Sequence, residues 1–171
     1  RDHFWRRGER FSIIQARGKQ EPEQVLFDDY GQYASVAPDG KCILYNREGD
    51  RWWRKGYTGS RTAQVWLWNL GDKSHTKLLD GEDARWPLWR PDGKAFYYVG
   101  ARGGGLNLRE YVLATEKDRQ VTKFKDDSVV FPAISRDGSV IAFRRLFDFY
   151  HLKPGLAGKP VKINLWAPGD V

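Results

Sequence analysis

The sequence predicts an all-β fold built from repeated four-stranded antiparallel units, and three observations carry that expectation. Pro38-Asp39-Gly40, Pro91-Asp92-Gly93 and Arg136-Asp137-Gly138 recur at spacings of 53 and 45 residues, Asp to Asp. A period of this size marks a repeat architecture. Each copy also separates two runs rich in aromatic and β-branched residues, which suit a pleated, half-buried surface. Finally, no window of about 11 residues or more carries a helical hydrophobic period.

The elements follow from aligning the copies on Asp-Gly. Strand one of each unit is expected at 33–37, 85–89 and 129–135, ending at the turn. Asp bonds the backbone two residues on and Gly accepts positive φ, so Asp39-Gly40, Asp92-Gly93 and Asp137-Gly138 each close a tight hairpin. Strand two follows at 41–46, 94–100 and 139–145. Strand three is expected at 63–70, 106–113 and 162–167, where Val65-Trp66, Leu108-Arg109 and Leu165-Trp166 align. Strand four is expected at 75–79 and 119–124, after the polar turns GDKS and ATEKD.

The start of the chain fits the same frame, since 11–16 and 23–27 read as strands three and four of a preceding unit. The expected organisation is therefore one β-propeller segment: 1–27 the end of a blade, 28–80 and 81–125 whole blades, and 126–171 an incomplete blade. Four-stranded antiparallel units at a period of about 40 to 50 residues are the propeller signature, and a ring needs at least about four of them. Some three and a quarter blades cannot close alone, and an open flank is a strand edge that invites pairing. The first residue is Arg1 and no methionine occurs, which fits a fragment or a processed chain.

Composition narrows the function classes. The 171 residues include eight tryptophans, eight tyrosines, nine phenylalanines and eighteen glycines, consistent with many short strands and tight turns. No run approaches the roughly 18 apolar residues of a membrane-spanning helix. The single cysteine, Cys42, aligns with Ala95 and Val140 and reads as a small core residue; alone it supports neither a disulfide framework nor a CxxC metal site. The net charge of +7 is scattered through loops, which argues against nucleic acid as the partner. The chain shows no HExxH, no GxSxG, and no Lys-Ser/Thr after the glycines at 103–105. No catalytic residue, metal site or cofactor is therefore assigned.

Function is expected in the loops. In a meander of alternating strands, the loops from strand two to three share a face with the connectors between units, opposite the Asp-Gly turns. The two-to-three loop is short in the middle unit but long at 47–62 and 146–161. Loops beyond about 12–15 residues are uncommon and often functional. The first carries Arg51, Trp52, Trp53, Arg54, Lys55, Tyr57 and Arg61; the second carries Phe147, Phe149, Tyr150, His151 and Lys153. Aromatics and arginine dominate binding surfaces because they combine contact area with planar donors. The same aromatics equally suit packing onto the propeller body or a neighbouring domain. The connectors carry the acidic pairs Asp28-Asp29, Glu82-Asp83 and Asp126-Asp127, expected to ion-pair with arginines such as Arg51, Arg54 or Arg85.

The residues 87–97, with the pattern PxWxPDGKxxY, then 102–108 and 119–122, resemble the TolB-like propeller repeat. The strings NREGDRWWRKGYTGSRTAQVWLW (46–68), DDSVVFPAISRDG (126–138) and FRRLFDFY (143–150) are similar to the N-terminal propeller of tricorn-type serine peptidases. Arg136 stands where the repeat usually has Pro, and Arg109 where it usually has Trp. The resemblance implies a multidomain hydrolase whose propellers guide peptides to a separate catalytic domain bearing the serine. None of that family's catalytic motifs falls on this sequence. The expected partners are peptides or other domains of the same polypeptide, with homo-oligomerisation left open. A tricorn-like protein implies the cytoplasm, a TolB-like interaction module the periplasm.

Overall fold

The computed structural model describes residues 10–14, 17–19, 21–49, 52–53, 57–102, 105–125, 128–155 and 159–166, and among them every regular element is a strand. Strands β1 (Ser12–Ile13) and β2 (Gln24–Val25) form an antiparallel pair. Three four-stranded antiparallel meanders follow. The first comprises β3 (Gln32–Val36), β4 (Cys42–Arg47), β5 (Gln64–Asn69) and β6 (His75–Leu79). The second comprises β7 (Arg85–Trp89), β8 (Ala95–Gly100), β9 (Asn107–Val112) and β10 (Lys117–Gln120). The third comprises β11 (Val130–Ile134), β12 (Ile141–Arg145), β13 (Asp148–Leu152) and β14 (Val161–Ile163). First strands neighbour one another, β3 against β7 and β7 against β11. This is an open β-propeller segment.

Side-chain alternation explains why the sheets stack. Every residue of β8 is buried, because successive side chains point to opposite faces and both faces are covered. Phe96 and Tyr98 pack toward the first sheet with Leu44, Val65 and Trp89, whereas Tyr97 and Val99 pack toward the third with Ile141, Phe143 and Leu152. A third cluster, Phe27, Ile43, Tyr45 and Trp68, joins the first sheet to Phe11 and Leu26 around the β1–β2 pair. Each fully buried large side chain contributes about 1.5–3 kcal/mol.

The Asp-Gly turns form as the sequence predicts. Asp39, Asp92 and Asp137 accept the backbone N–H two residues on, at 3.0, 3.0 and 3.1 Å. Gly40, Gly93 and Gly138 have φ of 72, 66 and 73°. The turns also stack between sheets: a Cβ on Gly138 would lie 2.7 Å from Pro91, and one on Gly93 3.8 Å from Pro38. The proline of one turn thus covers the glycine of the next.

The third sheet corrects the sequence reading. The expected long loop at 146–161 is a tight turn at Leu146 and Phe147, followed by β13 paired with β12 from Arg145↔Asp148 to Ile141↔Leu152. Phe149, Tyr150 and His151 are therefore strand residues, and only Phe147 stays in the turn. Strand three lies at Asp148–Leu152 rather than 162–167, and β14 completes four strands where the sequence reading stopped at three. Burial is the reason: Tyr150 stacks on Phe143 at 5.9 Å and Leu152 is buried, whereas Leu165 and Trp166 are 73% and 84% exposed. Their likeness to Val65-Trp66 is local only. In the second sheet β10 spans Lys117–Gln120 rather than 119–124, and it ends at Gln120 because Val121 and Thr122 both donate to Leu108 O and leave the ladder.

Candidate functional site

The first strand of every unit carries the same irregularity. Pairing shifts register between Gln32 and Ser35, between Arg85 and Leu88, and between Val130 and Ala133. Within each bulge sits an aromatic-rank residue in left-handed backbone: Tyr33 (φ 56°), Trp86 (φ 50°) and Phe131 (φ 51°). Such conformations cost about 1–3 kcal/mol for bulky side chains and persist only where surrounding contacts impose them. A bulge re-aims its side chain. Here the result is a row of rings across three sheets, Tyr33 to Trp86 at 6.0 Å and Trp86 to Phe131 at 5.0 Å.

Asn46, 2% exposed, imposes that geometry between the first two sheets. Its Oδ1 accepts Trp86 N–H at 2.7 Å, and its Nδ2 donates to Ala84 O and Gln64 O, both at 2.8 Å. Beside it the buried Arg85 guanidinium meets Asp83 at 2.6 Å and donates to Gly49 O. Ala84 N–H donates to Ala63 O at 3.0 Å. The base of the first long loop is thereby tied to the connector of the next sheet, so loops and connectors do share a face. Other connector carboxylates pair similarly, Asp29 with Arg47 at 3.1 Å and Asp28 with Arg10 at 3.2 Å, and Glu82 with Arg102.

The first long loop reaches this row. Trp52 lies 5.3 Å from Phe131 of the third sheet and 6.0 Å from Trp53, which is 61% exposed. Arg144, on β12, completes the cluster, with its guanidinium 5.5 Å from the Trp52 ring and 5.3 Å from Phe131. Arg144 makes no ion pair among the described residues, and its buried Nε has no hydrogen-bond partner. It stands seven residues after Asp137, the place Asn46 holds after Asp39. The assembly is thus an uncompensated cation framed by aromatic rings, with Tyr33 and Phe131 47% and 42% exposed.

The residues singled out from the sequence scatter relative to this cluster. Trp52 and Trp53 belong to it. Tyr57 is half-buried and Arg61 exposed further along the same loop. Arg51, Arg54 and Lys55 lie outside the described residues, as do Asp126 and Asp127. Phe147 is 97% exposed at its turn, Phe149 is 44% exposed on β13, Tyr150 packs on Phe143, and His151 pairs with Ala142 and Val161. Sequence reasoning missed Tyr33, Trp86, Phe131 and Arg144. The signal was present: an aromatic residue stands six positions before each repeat Asp.

Comparison with known proteins places the fold. No protein-family model matches the chain. A curated relative, dipeptidyl-peptidase 5 of Porphyromonas gingivalis, is 29% identical over 132 residues, covering 73% of this chain and 18% of the relative. TolB from Acinetobacter baumannii superposes with a TM-score of 0.67 at 20% identity, over 82% of this chain and 34% of that one. A prolyl endopeptidase gives 0.64 at 22% identity, over 92% and 27%. The tricorn protease gives 0.63 at 16% identity, over 87% and 20%. The chain therefore spans only a minor part of each. Its fold is that of an open, TolB-like β-propeller segment, similar to the propellers found in peptidases.

Proposed function

We propose that the chain is a non-catalytic propeller segment of a tricorn-like serine peptidase, in which it receives extended peptides and contacts neighbouring domains. In this reading 28–80, 81–125 and 126–171 act as successive blades and 1–27 ends a preceding one. The observation that carries it is Arg144, a guanidinium without a carboxylate partner among the described residues, framed by Trp52 and Phe131. A planar guanidinium matches a carboxylate with two parallel hydrogen bonds. Aromatic neighbours add contact area for the adjoining side chains. The peptide's C-terminal carboxylate or an acidic side chain is the complementary group. In sequence, Arg51, Arg54 and Lys55 add positive charge to the same loop. The peptidase names of several similar proteins support this setting.

The test is peptide affinity of the full-length protein, read by tryptophan fluorescence. Trp52→Ala is expected to weaken binding about tenfold, the loss of roughly 1.4 kcal/mol of contact. Unchanged affinity in Trp52→Ala and in Arg144→Gln would remove this site from the account. The TolB likeness favours a second reading, a protein-interaction module without a peptidase. Peptide hydrolysis by the full-length protein distinguishes the two, since the module reading requires none.

A further inference from the structure

A concave site that shares no residue with the aromatic row lies between the second and third sheets. It is a groove of about 640 Å³, walled on one side by the run from Arg119 to Phe124 and on the other by Leu152 to Gly155 with Lys159 and Pro160. That volume falls within the roughly 300–1,000 Å³ of ligand clefts. Four cations line it, Arg119, Lys123, Lys153 and Lys159, and among the described residues no carboxylate does. Arg119 is neutralised by Glu110, which lies behind the wall and also holds Arg90 at 2.9 Å. Lys123, Lys153 and Lys159 make no ion pair among the described residues, so three positive charges remain open to the groove. Val121, Phe124, Pro154 and Pro160, each half-buried, supply apolar surface between them.

We propose that this groove binds an extended acidic peptide segment in which carboxylates alternate with apolar side chains. Charge complementarity selects the carboxylates: a ligand with two or three of them meets three uncompensated ammonium groups, and the resulting attraction steers encounter as well as holding the complex. The apolar surface selects against an inorganic anion, which would leave Val121, Phe124, Pro154 and Pro160 facing water. The site shares no residue with the Trp52–Phe131–Arg144 cluster, so it stands whether or not that cluster binds peptide.

The experiment uses the full-length protein and a fluorescein-labelled hexapeptide alternating aspartate and leucine, amidated at its C-terminus so that it offers no terminal carboxylate. Fluorescence anisotropy is expected to show saturable binding that weakens at high salt. The triple variant Lys123→Gln/Lys153→Gln/Lys159→Gln, all at exposed positions, is expected to bind about tenfold more weakly, as three exposed charge pairs allow. The same peptide with asparagine for aspartate should not bind. Equal binding by the triple variant, or by the asparagine peptide, overturns the proposal. Displacement of the peptide by millimolar inorganic phosphate also overturns it, in favour of a small-anion site. A thermal melt of the triple variant that matches the parent protein shows that any loss is local.

Discussion

Asn46→Ala is expected to loosen the join between the first two sheets, and the size of the effect follows from three hydrogen bonds. Asn46 is 2% exposed, and its amide serves Trp86 N–H, Ala84 O and Gln64 O at 2.7–2.8 Å. Truncation leaves the Trp86 N–H and the Ala84 carbonyl without that partner in a site that water does not reach. Each orphaned buried group costs about 1–3 kcal/mol. The two groups together cost about 3 kcal/mol, a large share of the roughly 5–15 kcal/mol that holds a domain folded. Because Trp86 sits in left-handed backbone, the lost bond also removes the constraint that keeps its ring between Tyr33 and Phe131. Hydrogen exchange of backbone amides in the intact protein reads local opening directly. A 3 kcal/mol loss corresponds to about a hundredfold faster exchange across 84–88, with the third-sheet amides little changed. A change below about threefold would refute the assignment of Asn46 as the inter-sheet tie.

Three further outcomes are expected. Gly138→Ala combines positive φ with a Cβ 2.7 Å from Pro91, whereas Gly40→Ala meets open space at a similar φ; thermal melts should show a loss of about 1 kcal/mol for the second and clearly more for the first. Asp137 is held down to about 2 by hydrogen bonds from the Ser135 hydroxyl and from the Ser139 N–H and hydroxyl. Its folded-state value lies below the unfolded one of 3.8, so its contribution is full above about pH 4 and is lost as pH falls through about 2. An NMR titration checks the value, and Asp137→Asn should flatten that part of the stability profile. Asp118→Ala strands the buried Arg109, which Asp118 meets at 2.9 and 3.0 Å through Nε; urea titration should show a loss of about 3–5 kcal/mol.

The scaffold was legible in the sequence because its determinants are local. Asp39-Gly40, Asp92-Gly93 and Asp137-Gly138 specify their own turns, and strand two follows each as an apolar-rich run, buried throughout only in β8. The third unit misled because the Leu165-Trp166 pair imitates a strand-three signature while its burial depends on neighbours the pattern does not encode. Asp148–Leu152 falls inside the loop expected at 146–161, yet the tight turn at Leu146 and Phe147 brings it into register with β12. The aromatic row was readable only as a fixed offset from Asp, since nothing local announces that Tyr33, Trp86 and Phe131 occupy bulges. Arg144 gave no signal at all. Its role depends on Trp52, a residue 92 positions earlier in the chain, which arrives only when the first loop crosses toward the third sheet.

The central claim, that Arg144 and its aromatic frame receive a peptide carboxylate, is tested most directly by a double-mutant cycle. Affinity of the full-length protein is measured for one peptide as free acid and as C-terminal amide, with the parent protein and with Arg144→Gln. The account predicts that amidation weakens binding by about tenfold or more in the parent and has little effect in the variant, a coupling above about 1 kcal/mol. Equal losses on amidation in both proteins would contradict it.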